Sequence, residues 1–101
     1  MDKILKRDGR IVQFDEQKIR LAILKAFEAV DGKIDEYAKD KAEKISNFIK
    51  QKVHESETIL RVEEIQDLVE HGLMSTKRKE VARAYITYRN ERTMFRGNSI
   101  D

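Results

Sequence analysis

Apolar residues recur at helical spacing in four stretches of this chain, and the first fourteen residues break that period. Asp15 is placed to cap a first helix, in which Ile19, Ala22, Ile23, Ala26, Phe27 and Val30 share a face until Asp31-Gly32 ends the run. A second helix is predicted from Asp35. Its stripe is Ala38, Ala42, Ile45, Ile49 and Val53, with Phe48 beside it and mostly Lys, Glu and Asp elsewhere. A third starts at Val62, carries Glu63 and Glu64 where the helix dipole favours acids, and buries Ile65, Leu68, Val69 and Leu73. Ser75 or Thr76 is expected to cap the fourth. That helix has Val81, Ala84, Tyr85 and Tyr88 as its stripe and Ala82, Ile86 and Arg89 on the flank, and is expected to fray from Phe95 onward. Met74 reads as core and Met94 as tail, and the Tyr85/Tyr88 pair as core packing with one hydroxyl reaching a candidate site.

The start of the chain reads differently. Lys3 to Arg7 and Arg10 to Phe14 are two short β-prone runs around Asp8-Gly9, a dipeptide that favours a hairpin because both residues tolerate positive φ. A two-residue turn there pairs Arg7 with Arg10, Leu5 with Val12 and Lys3 with Phe14, and places Leu5, Val12 and Phe14 on the helix-facing side. Thr58-Ile59-Leu60 supplies a third short strand. The expected fold is therefore mainly α: a four-helix bundle capped by an N-terminal β-hairpin or small three-stranded sheet.

Composition narrows the function. At 101 residues, 40% of them hydrophobic and 40% charged, the chain supports one compact domain with a modest core, expected over residues 1–95 and followed by a polar tail or linker at 96–101. With no cysteine, neither a disulfide framework nor a thiolate zinc site can form. His54 and His71 fall on different predicted helices without acids at ligand spacing, so no metal site is expected. Ser46, Ser56 and Ser75 lie in no nucleophile elbow, and no GxxxxGK[ST] loop occurs, so no catalytic residue is assigned. No segment approaches the roughly 20 apolar residues that span a bilayer, and the domain is read as soluble and cytoplasmic.

The net charge is only +2 but is unevenly distributed. Residues 1–25 carry seven Lys/Arg against four Asp/Glu, residues 26–76 seven against twelve, and residues 77–101 seven against three. If the two basic ends meet they form a cationic patch suited to phosphates; otherwise they are solvated faces. The turn itself concentrates Lys6, Arg7 and Arg10, and Lys18 follows in the first turn of helix 1, the wrong end of a helix for a lysine unless an anion binds nearby. The plainer alternative is that Lys18 pairs with Asp15 or Glu16, a surface contact of about 0–1 kcal/mol.

Three blocks then acquire a joint meaning. KRDGRIVQFDEQKI, VEEIQDLVEHGLM and VARAYITYRNER occur in the order and spacing of the ATP-cone, the regulatory nucleotide-binding domain at the N-terminus of many ribonucleotide reductase large subunits, and the resemblance covers residues 3 to about 94. It implies the fold deduced above. It also implies ATP or dATP, with Mg2+, as an allosteric effector that switches overall reductase activity through subunit association, and no catalytic cofactor in the domain itself. By position, Lys6 and Arg7 match the basic pair that contacts the effector phosphates, and Lys18 the helix-1 lysine facing the nucleotide. Val12 and Asp15 match the segment that wraps the adenine, and Val62 and Gln66 line base and sugar, although relatives with Thr and His there offer polar contacts that Val62 lacks. Tyr88, Arg89 and Arg92 match the terminal helix that approaches the phosphates. The expected partners are adenine nucleotides, the rest of a reductase subunit and a cone-mediated oligomer, with neither nucleic acid nor membrane. YITYRNER suits the anaerobic branch.

Two rival functions differ in kind. A repressor of reductase genes joins the same cone to a zinc ribbon, which a chain without cysteine cannot supply. A helical nucleic-acid-binding domain would use the basic ends, lose affinity steeply with salt and ignore free ATP.

Overall fold

In a computed structural model, which describes residues 2–98 and the side chains of residues 2–91, the predicted helices form at the predicted places. The elements are β1 (Lys3–Leu5), β2 (Ile11–Gln13), α1 (Glu16–Asp31), α2 (Glu36–Glu55), β3 (Leu60–Arg61), α3 (Val62–Met74) and α4 (Lys79–Asn98). Local chemistry accounts for the helix ends. Asp15 accepts from the Gln17 N–H, and Gly32, left-handed at φ 74°, closes α1 by donating to the Glu28 carbonyl at 2.8 Å. Asp35 caps α2 through the Ala38 N–H at 2.9 Å. At α3 the cap works in one direction, since Glu64 accepts from the Arg61 N–H at 3.3 Å while a guanidinium has no acceptor to return.

The helices close a ring in which α1 packs on α2 and α4, and α3 packs on α2 and α4. The predicted stripes turn inward except at Val30, which is 38% exposed at the last turn of α1, and Ala82, expected on the flank of α4, is fully buried. Ile23, Phe27, Ile49, Ile65, Val69, Leu73 and Val81 are fully enclosed, with Tyr85 almost so. At the seam of α2 and α3, Gly72 lets the Ile45 side chain approach the α3 backbone. Asp31, at the end of α1, takes both terminal nitrogens of Arg78 at 2.5 and 3.2 Å; Arg78 in turn stands over the Phe27 ring and reaches Glu80.

The hairpin pairs Lys3 with Gln13, Ile4 with Val12 and Leu5 with Ile11, one residue away from the predicted register. The loop is Arg7-Asp8-Gly9, closed by the Lys6 N–H on the Arg10 carbonyl at 2.8 Å with Gly9 at φ 88°. A slip of one residue exchanges faces, so Ile4 rather than Leu5 joins Phe14 against the core. The third strand covers Leu60–Arg61 and runs parallel to β1, giving the order β2-β1-β3; Thr58 is held in a turn by Ser56 Oγ, which donates to its carbonyl at 2.6 Å.

Ser75 and Thr76 do not cap α4 directly. Ser75 closes α3, and the Thr76 hydroxyl donates back to the Leu73 carbonyl while accepting from the Arg78 N–H, so α4 begins only at Lys79 and then runs to Asn98 without ending near Phe95. Met74 is 48% exposed because the inward stripe of α3 ends at Leu73. Met94 lies outside the described side chains.

Candidate nucleotide site at the hairpin and helix 3

Arg7, in the hairpin loop, reaches across to α3 and donates from Nη2 to Gln66 Oε1 at 2.8 Å, with Glu63 Oε1 at 3.6 Å from its Nε. Arg89, from α4, reaches the same face of α3: its Nη1 meets Asp67 at 2.8 Å and Glu70 at 3.2 Å, and its Nη2 donates to the Glu63 carbonyl at 3.3 Å. Both guanidinium groups are largely shielded, with side chains 21% and 17% exposed. Residues 63, 66, 67 and 70 stand three or four apart and so share one helix face. Three residues far apart in sequence, Arg7, Gln66 and Arg89, are thus drawn into one connected network. Val62, one position ahead of Glu63 and half-buried, borders it.

The remaining predicted residues sit around the hairpin and the start of α1. Lys6 precedes Arg7 in the turn and is half-buried; Val12 is half-buried opposite Ile4. The Asp15 carboxylate is occupied as the helix cap. Lys18 is exposed in the first turn of α1, and the plainer reading of it is not what forms. Glu16 instead binds Arg20 and stands 3.5 Å from Lys50, and among the described residues no acid lies within ion-pair distance of the Lys18 ammonium. Arg10, also part of the basic turn, is bound to Asp8 at 2.7 Å, and hydrogen bonds from the Arg10 backbone and side chain hold that carboxyl below its ordinary range. Tyr88 is half-buried beside Tyr85, the ring centroids 6.3 Å apart. Burial pushes the Tyr85 phenol well up, so it stays neutral. The Arg92 side chain lies outside the described residues.

The acids of α3 that meet the two arginines are not singled out by the sequence alone. It assigns Glu63 to the helix dipole and gives Asp67 and Glu70 no role. Their spacing at i, i+4 and i+7, on the face that carries Gln66, is the signal that locates them. A shallow groove of about 400 Å³ at the start of α1, lined by Phe14, Glu16, Arg20 and Lys50 among others, takes in only Asp15 of the predicted set. No helix among the described residues is long and apolar enough to cross a membrane.

Residues 2–94 match the family described as the ATP cone domain. The chain is 38% identical over 99 residues to the vitamin B12-dependent ribonucleoside-diphosphate reductase of Thermoplasma acidophilum, covering 93% of the chain and 12% of that protein. It is 38% identical over 93 residues to the anaerobic ribonucleoside-triphosphate reductase of Haemophilus influenzae, covering 92% of the chain and 13% of the relative. Against the ribonucleoside-diphosphate reductase subunit alpha of Chlamydia muridarum the identity is 30%, over 97% of the chain and 10% of the relative. The chain thus spans about a tenth of the length of these relatives, and they represent several kinds of reductase rather than the anaerobic one alone.

Proposed function

The chain belongs to the ATP-cone domain family, and from that membership we propose that it is a sensor of adenine nucleotides, binding ATP or dATP as an allosteric effector of a ribonucleotide reductase and carrying out no chemistry itself. The observation that carries this reading is the convergence of Arg7, from the basic hairpin, and Arg89, from α4, on one face of α3, in a chain matched to that family over almost its whole length. Guanidinium groups suit this task because their planar donors engage phosphate oxygens in pairs. Lys6 and Lys18 add point charges, Val12, Asp15, Val62 and Gln66 border the base and sugar, and Tyr88, Arg89 and Arg92 complete the phosphate side. Mg2+ arrives on the triphosphate, as is usual for an ion that keeps much of its water and shares phosphate oxygens.

Regulation requires that the two nucleotides favour different arrangements of the domain. They differ by one hydroxyl, and an effector with equal affinity for both arrangements would shift nothing, however tightly it bound. ATP permits activity and dATP suppresses it through the way subunits associate. On this reading residues 1–95 are the sensing unit and residues 96–101 a polar tail or linker. Titration calorimetry with ATP, dATP and GTP tests the reading: adenine nucleotides bind in moderate salt, and silence toward both would refute it. Binding to single-stranded DNA that fell steeply with salt, without any response to ATP, would favour a nucleic-acid partner instead.

A further inference from the structure

The two arginines of the network are neutralised by the protein's own acids. Arg89 meets carboxylates of Asp67 and Glu70 through a single nitrogen, Nη1, and Nη2 rests on the Glu63 carbonyl. Nη1 donates to Glu70 at 3.2 Å and stands 2.8 Å from an Asp67 carboxylate oxygen, so both acids crowd the same end of the guanidinium. Arg7 lies against Glu63 and Gln66. Three carboxylates on one edge of α3 thus occupy two cations that a polyphosphate would also seek.

We propose that Glu63, Asp67 and Glu70 form an internal stand-in for phosphate, a latch that holds Arg7 and Arg89 against α3 until a nucleotide triphosphate displaces it. The proposal rests on the nucleotide-binding reading above and adds to it a competitor and a direction of motion. An incoming phosphate that engages Arg89 end-on, through Nη1 and Nη2 together, takes Nη1 away from Asp67 and Glu70. Those two acids, three positions apart on one helix face, then lose the cation that offsets their mutual repulsion and meet a new anion as well. Relief comes from separating α3 from α4 at this edge. Occupancy at the hairpin is thereby converted into a change at the α3–α4 seam, where Arg89 is the cross-link.

The latch predicts the opposite of what a positioning role predicts. If the acids merely orient the arginines, removing them weakens binding; if they compete, removing them strengthens it. The experiment measures ATP affinity by calorimetry at 0.15 M salt, where screening acts over about 8 Å, for the whole chain, for Asp67→Asn/Glu70→Gln, and for Glu64→Gln. The last removes a neighbouring acid, which accepts from the Arg61 N–H, and so reports the effect of losing one nearby charge. The double variant is expected to bind ATP about fivefold more tightly, and the control to change less than twofold. Thermal melts provide a second readout. The double variant should melt lower than the parent without nucleotide and together with it at saturating ATP, because the latch is absent from the complex. Unchanged or weaker ATP binding by the double variant, a gain matched by Glu64→Gln, or an equal drop of both melting points would overturn the latch while leaving the nucleotide reading intact. A parent chain that binds neither ATP nor dATP would overturn both.

Discussion

Replacing Gly72 with alanine sets two effects of similar size against each other. In a helix interior alanine is favoured over glycine by about 1 kcal/mol. A Cβ at position 72, however, would lie 3.0 Å from Ile45 Cγ2, 3.1 Å from Cγ1 and 3.2 Å from Cδ1, whereas carbon atoms prefer about 3.5–4.0 Å. Ile45 is almost wholly buried in α2, and a β-branched side chain in a helix has essentially one rotamer, so it cannot swing clear. The strain must be met by moving α2 from α3, at an overpacking cost of about 1–3 kcal/mol. Subtracting the propensity gain leaves Gly72→Ala less stable by roughly 1 kcal/mol, within about 0–2. Urea denaturation followed by circular dichroism measures this directly. The same change in an Ile45→Ala background should instead stabilise by about 1 kcal/mol, because the obstructing carbons are gone and only propensity remains. If Gly72→Ala stabilised the parent and the Ile45→Ala background equally, the close approach would carry no energetic weight and the reasoning would fail.

Phe27→Ala removes a fully buried ring that is edge-on to Tyr37 and lies beneath Arg78, and should cost about 3–5 kcal/mol, a large share of the stability of a domain this size; denaturant titration measures the loss. The acid side of the stability profile should depend on Arg78. Its hydrogen bonds hold the Asp31 and Glu80 carboxyls below their ordinary range, so their contribution is fully present above about pH 5 and is lost as the pH falls through those lowered values. Thermal melts should accordingly show Asp31→Asn less stable than the parent at pH 7, with the gap closing in strong acid. Lys6→Ala and Lys18→Ala should each weaken ATP binding by about 1–3 kcal/mol in calorimetry while leaving the melting point of the nucleotide-free domain nearly unchanged; variants that melted lower with unaltered affinity would mark the two lysines as structural.

Sequence by itself determined the four helices, the cap at Asp15, the stop at Gly32, the start of α2 at Asp35 and most of the inward positions from Ile23 to Tyr85. These depend on hydrogen bonds spanning a few residues and on a 3.6-residue period, both written locally in the chain. The hairpin register was beyond that reach, because Ile4 and Leu5 are both apolar and either suits the core face. The loop closure at Lys6 and Arg10 selects Ile4. Of the candidate site, the basic turn and Lys18 stood out by charge and position, and Gln66 and Arg89 through the family resemblance, whereas the residues they meet in the fold were not legible. Arg7 meets Gln66 across 59 positions and Arg78 meets Asp31 across 47. A long charged side chain can satisfy its donors with many acids at similar energy, so only the packing of hairpin, α3 and α4 around one core decides which carboxylates stand within reach of Arg7 and Arg89.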